Sequence, residues 1–176
     1  EKQRTWRIDA AGVSWSAEDK SGRFDFSEIS TIRLQWAASR ADQARYACLV
    51  ARANGWTETI VSTHYDGPMQ FPDRRGTYLP FVRELVRRTA AANPACRFRA
   101  GTTPVRFLGN LTAMIAGLAL LALVALTLGV PFTGIVVMKL IVMAALLPLA
   151  LAWFKKNRPR PFDPANIPAD ILPSPH

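Results

Sequence analysis

The chain has 176 residues, enough for one ordinary domain and an appendage but short of two full domains. It carries 22 Lys+Arg against 13 Asp+Glu, a formal net charge of +9, with a pI of ≈ 10.4. Cys48 and Cys96 stand far apart with no CxxC pair and no neighbouring histidine, which excludes a disulfide scaffold or zinc module and suits reduced, small apolar residues.

Charge is strongly segregated. From Phe107 to Phe154 the one charged residue is Lys139. This divides the chain into a mixed region 1–106, an apolar block 107–154 and a tail 155–176. A soluble protein this basic suggests nucleic acid, but no DNA- or RNA-binding motif accompanies the charge, so no nucleic acid is expected as a partner. Beside an apolar block, basic residues read as cytoplasmic markers and contacts for anionic phospholipid. The chain begins at Glu1 rather than Met, which leaves open an upstream segment.

Region 1–106 reads mostly as short strands. TWRIDA (5–10) and GVSWSA (12–17) flank a turn at Ala10-Ala11-Gly12. GRFDFSEI alternates Phe24 and Phe26 with polar residues and predicts a strand running into a bend. ISTIRLQW (29–36) and ARYACLVARANG (44–55) are β-branched, aromatic or alternating, and predict further strands. Asn54-Gly55 predicts a type I′ hairpin into WTETIVSTHY. A helix is predicted over 77–92, with Tyr78, Leu79, Val82, Leu85 and Val86 as its apolar stripe and Pro80 in its first turn. Asn93-Pro94 ends it.

Strands followed by one amphipathic helix, with Trp36 after ISTIRLQ and YLPFVREL in the helix, resemble the pleckstrin-homology-like (PH-like) superfold over residues 5–92. With the apolar block added, the chain resembles membrane-anchored bacterial proteins that carry such domains. The resemblance implies an α+β fold, with a PH-like antiparallel barrel or sandwich capped by its C-terminal helix, and an adaptor in place of an enzyme. It implies no phosphoinositide site, because the first loop, Asp9-Ala10-Ala11-Gly12, has no Lys or Arg.

The apolar block holds two uncharged or nearly uncharged runs, 107–129 and 132–154. At 1.5 Å per residue each reaches about 35 Å, enough for a hydrocarbon core of about 30 Å. A two-helix transmembrane hairpin is expected, with a tight turn at Gly129-Val130-Pro131. Arg97, Arg99 and Arg106 before it, and Lys155, Lys156, Arg158 and Arg160 after it, place both termini in the cytoplasm of a bacterial inner-membrane, multi-pass protein. Gly109, Ala113 and Gly117 form a ridge of small residues for helix packing, against the second helix or against a partner. Lys139 either snorkels to the outer headgroups or pairs with an acidic group on a partner.

Arg83, Arg87, Arg88, Arg97, Arg99 and Arg106 are candidate lipid contacts; the other reading is a solvated helix face plus a topology signal. The tail has six prolines in 22 residues, so no continuous helix is expected. Phe162, Ile167, Ile171 and Leu172 are its candidate anchors, on its own domain or in a partner's groove. The expected layout is a domain 1–100, a basic linker 101–106, helices 107–129 and 132–154, and the tail.

Catalytic signatures are lacking. His64-Tyr65-Asp66 has no nucleophile or second histidine nearby, Asp25 and Glu28 suit a solvated bend, and no metal-ligand spacing or phosphate loop occurs. The expectation is a non-catalytic scaffold or accessory subunit without cofactor, bound to another integral membrane protein or to itself. The alternative is a sensor of anionic lipid at the inner leaflet.

Overall fold

The computed structural model describes residues 4–18, 20–37, 45–63, 75–127, 148 and 150–173, without the side chains of 75, 121, 122 and 124–127. Two compact units result, one formed by Glu1–Gly101 with Arg160–His176 and the other by Thr102–Pro159.

In the first unit, β1 (Thr5–Ile8), β2 (Gly12–Ala17) and β3 (Lys20–Asp25) make an antiparallel three-stranded sheet. Trp6 and Trp15 are cross-strand partners with ring centroids 6.4 Å apart. The Trp15 indole lies over Gly22 of β3, where an added Cβ would come within 2.7 Å of it, so glycine is what lets the ring lie flat on the sheet. A 3₁₀ turn, Phe26–Glu28, bends the chain into β4 (Ile29–Trp36).

The second sheet has the order β6-β5-β4-β7-β8. Its strands are β4, β5 (Tyr46–Arg52), β6 (Thr57–Val61), β7 (Arg97–Ala100) and β8 (Arg160–Pro161). β4, β5 and β6 form an antiparallel meander, in which Leu34, Cys48 and Ile60 align on one face and Ile32 and Val50 on the same face. Those five side chains are buried because period-2 alternation turns them to the core. The β5–β6 connection is a three-residue loop, with Arg52 N–H donating to Trp56 O at 2.8 Å, rather than the expected two-residue type I′ turn. Gly55 takes the left-handed conformation there, φ +87°.

Helix α1 (Arg75–Ala92) joins β6 to β7 and buries Tyr78, Val82, Leu85, Val86 and Thr89. It begins earlier than its stripe suggested, so Pro80 sits within the helix and leaves the exposed Gly76 carbonyl without its helical donor. At its far end the Asn93 side-chain amide donates to Ser27 O and Ile29 O at 3.1 and 3.0 Å, which sets the following strand beside the start of β4. β7 then runs parallel to β4.

The tail completes this unit. β8 pairs antiparallel with β7, and Phe162 N–H donates to Phe98 O at 3.2 Å. The Phe162 and Phe98 rings meet edge to face at 5.8 Å. A 3₁₀ turn, Ala169–Ile171, delivers Ile171 and Leu172 into the same core as Val13, Phe24 and α1, at 1% and 5% exposure. Ile167 is partly buried against it. Arg160 and Asp170 close the segment with an ion pair at 2.5 Å.

The expected fold needs correction in two respects. Among the described residues no PH-like barrel closes, because β1–β3 share no ladder with the β4–β8 sheet. The two sheets are tied instead by Arg4 Nη1, which reaches Glu58 Oε2 of β6 at 2.6 Å. Nor does the helix end the domain, since a parallel strand follows it and the tail adds another. The class is α+β with two separate sheets.

The transmembrane hairpin is the second correction. Among the described residues no helix is long and apolar enough to cross a membrane, so a multi-pass inner-membrane protein is not supported. The first apolar run forms α2 (Pro104–Thr127). Of the second run, only 148 and the helix α3 (150–157) are described, and the turn and Lys139 lie outside the described residues.

Ile171→Ala is expected to lower the unfolding free energy by about 2–5 kcal/mol, the usual cost of such a truncation in a closed core. Urea denaturation checks it, and a loss near zero would show that the tail is not part of the core. Burial pushes the Cys48 thiol from 9.0 up to about 12. The unfolded chain therefore loses this proton first, so stability is fully present below pH 9 and falls as pH rises from 9 toward 12. Urea midpoints measured across that range should fall, and less steeply in Cys48→Ala.

Candidate functional site

The six arginines proposed as lipid contacts are distributed over three elements. Arg83, Arg87 and Arg88 lie on α1, Arg97 and Arg99 on β7, and Arg106 in the first turns of α2 in the second unit.

On α1, helical spacing brings Arg87 and Arg88 to one carboxylate. Arg87 Nε and Nη2 donate to Glu84 Oε2 and Oε1 at 2.8 and 2.6 Å, and Arg88 Nε donates to Oε1 at 2.6 Å. Arg88 Nη1 also donates to Asp9 O at 2.8 Å, tying the helix to the β1–β2 turn. Hydrogen bonds from Arg87 and then Arg88 hold the Glu84 carboxyl down at about 2, and Glu84 in turn raises Arg87. These two cations thus already have an anion. Arg83 and Arg87 line an open cleft of about 470 Å³ together with Pro164, Ala165, Asn166 and Ile167 of the tail. Of the tail anchors, Ile167 lines this cleft, while Ile171 and Leu172 fill the core.

A second basic surface arises on the solvent face of the five-stranded sheet. The parallel register sets Arg99 beside Arg33 and Arg97 beside Thr31, while Phe98 and Ala100 alternate onto the core face beside Ile32 and Leu34. Arg97 and Arg99 are exposed. Arg33 is half-buried, donates Nη1–H to Gly101 O at 3.3 Å, and has its pKa lowered by burial first and by the Arg99 charge second. Sequence reasoning missed Arg33 because its neighbours are 64 to 66 positions away. The only local signal was an arginine at an outward position of an alternating strand.

In the second unit α2 and α3 meet at their polar ends. Phe107 stacks on Trp153 at 5.6 Å and meets Phe154 at 5.2 Å. Asn157, 1% exposed, accepts from Thr102 N–H at 3.0 Å and donates its amide to Trp153 O at 3.2 Å. Phe107, Leu111, Met114 and Leu118 recur at 4, 3 and 4 and are all half-buried, which marks the side of α2 turned toward α3. Gly109, Ala113 and Gly117 lie on the exposed side, and a Cβ at Gly109 or Gly117 would meet nothing within 4 Å.

No group of three or more His, Cys, Asp or Glu that could hold a metal occurs among the described residues, and His64 lies outside them. Cys48 and Cys96 are buried free thiols, the second pushed up to about 11, so both are poor nucleophiles.

The Glu84 carboxyl should titrate near 2 by carbon-detected NMR and move up toward 4.5 in Arg87→Gln. Its contribution to stability is present above pH 4.5 and is lost as pH falls toward 2, because its folded value is the depressed one. An unshifted titration in the native chain would remove the Glu84–Arg87–Arg88 cluster.

No family model, no curated protein and no solved structure matches this chain.

Proposed function

We propose that the chain is a non-catalytic scaffold subunit that associates with a second copy of itself through the exposed side of α2. The observation that carries this reading is the exposure of large apolar residues along that side. Leu108, Ile115 and Leu120 are 62%, 57% and 61% exposed. An apolar helix side of this kind is an interaction surface, because leaving it in water forgoes the burial that holds such helices in place.

The magnitudes set the character of the contact. Covering the rest of these three side chains is worth about 2–5 kcal/mol, roughly half the value of full burial. Association costs about 4–15 kcal/mol in lost freedom. The apolar residues alone are thus marginal, and close approach of the helix backbones has to supply the remainder. Gly109, Ala113 and Gly117 supply that approach, since at about 100° per residue they share a side of α2 with Leu120 and leave hollows beside it, while Leu108 and Ile115 project from farther round the helix. Protrusions and hollows on one helix side are complementary to a second copy of that side under two-fold symmetry.

The test uses full-length Leu120→Cys under mild oxidation, with native mass spectrometry of the unmodified chain alongside. The buried native thiols stay silent in this assay. A concentration-dependent dimer is expected, with a disulfide between Cys residues at position 120. Gly117→Leu should abolish both, and it has room to fold because nothing lies within 4 Å of the added Cβ. A monomer at all concentrations, with no crosslink, would sink the reading. A defined mass with a different protein would make the chain an accessory subunit of that partner instead.

A further inference from the structure

We infer that the cleft between α1 and the tail, at Arg83 and Arg87, binds a small carboxylate that carries an apolar group. The association through α2 is not involved, since every residue of the cleft belongs to the first unit.

Three observations converge. The first is a formed cleft. Arg83 and Arg87 of α1 make one wall and tail residues 164–167 the other, around about 470 Å³, within the roughly 300–1,000 Å³ usual for small-molecule sites. The tail wall is held by its own contacts. Ala165 N–H donates to Asp163 Oδ1 and Asn166 N–H to Asp163 O, both at 2.9 Å, and Ile167 packs against the core. A wall already in place spares a ligand the cost of ordering it.

The second is the state of the two cations. Positions 83 and 87 are one helical turn apart, so their side chains are neighbours on one face of α1. Arg87 commits Nε and Nη2 to Glu84, which leaves its Nη1 group. Arg83 is exposed, and among the described residues its guanidinium makes no ion pair or hydrogen bond, so its whole fork is open. Like charges at this spacing disfavour each other. Glu84 answers Arg87 and Arg88 but not Arg83, and an anion in the cleft supplies what Arg83 lacks.

The third is the kind of anion that fits. One open fork matches the two oxygens of a planar carboxylate through parallel N–H donors, with Arg87 Nη1 beside it as a further donor. The Glu84 carboxylate next to Arg87 disfavours the second charge of a phosphate. On the tail wall Asn166 offers an amide, while Pro164, Ala165 and Ile167 offer apolar surface. That surface suits an aromatic or branched aliphatic body. The lining comes from a helix and a turn, without the strand edge or row of pockets that an extended peptide uses, so a free small molecule fits better than a peptide terminus.

The experiment follows the Ile167 methyl signals of the full-length chain by NMR during titration with phenylacetate at constant ionic strength. A saturable shift is expected, at an affinity about ten-fold or more above that for acetate, which lacks the ring. Benzyl alcohol, which has the ring without the charge, should give no saturable shift. Arg83→Gln should weaken phenylacetate about ten-fold or more, the usual consequence of losing a charge-assisted donor. That variant keeps its fold, because Arg83 is exposed and holds no other side chain. Arg7→Gln, on the exposed face of the other sheet, should bind like the native chain. Unshifted Ile167 signals, equal affinity for benzyl alcohol, or undiminished binding by Arg83→Gln would overturn the site. Arg83-dependent shifts with a peptide ending in a phenylalanine carboxylate, and none with phenylacetate, would overturn the small ligand.

Discussion

The parallel ladder between β4 and β7 is the constraint on which most of this structure rests. It joins residues 29–36 to residues 97–100 across the whole of α1, and it is seeded by a local device, the Asn93 amide donating to the carbonyls of Ser27 and Ile29. Once β7 lies beside β4, its free edge accepts β8, and the tail is drawn in behind it to bury Ile171 and Leu172. The same register sets Arg99 against Arg33. Core closure and the basic face are thus two faces of one pairing, because alternation sends Phe98 and Ala100 one way and Arg97 and Arg99 the other.

An excess of arginine over acid forces a division of labour among the cations. Some are consumed internally. Arg4 bridges the two sheets through Glu58 and lies over the Trp15 ring, Arg52 lies over Phe24, and Arg88 ties α1 to the β1–β2 turn. Glu84 answers both Arg87 and Arg88. Exposed pairs of this kind contribute modestly to stability. Their larger consequence is to narrow which cations can meet an external anion.

The second unit follows a different logic. Its polar end is fully engaged, with Asn157 buried among Thr102 and Trp153 and with aromatic rings packed around Phe107. Farther along α2, one side is half-buried while the side bearing Leu108 and Ile115 stays exposed. In the chain this unit is inserted between β7 and β8, two strands that pair with each other.

Much of this was legible in the sequence because it depends on local periodicity. Strands β1 to β6 fall where alternation and β-branched residues place them, and α1 falls on the stripe of Tyr78, Val82, Leu85 and Val86. Spacing also singled out Phe162, Ile167, Ile171 and Leu172, though not what they would touch. What stayed hidden depends on pairing at a distance. RFRA and RP are too short to carry a period, and their strand character comes from the edge they join, so residues 97–100 read as the unassigned end of the domain and β8 as tail. The PH-like barrel failed for the same reason, since closure depends on which edges meet. Sequence determined the local elements and their apolar faces, because φ/ψ preference and side-chain alternation act over a few residues. Tertiary structure alone decided that Arg33 would stand beside Arg99, because a hydrogen-bond ladder, and no local preference, brings together residues 66 positions apart.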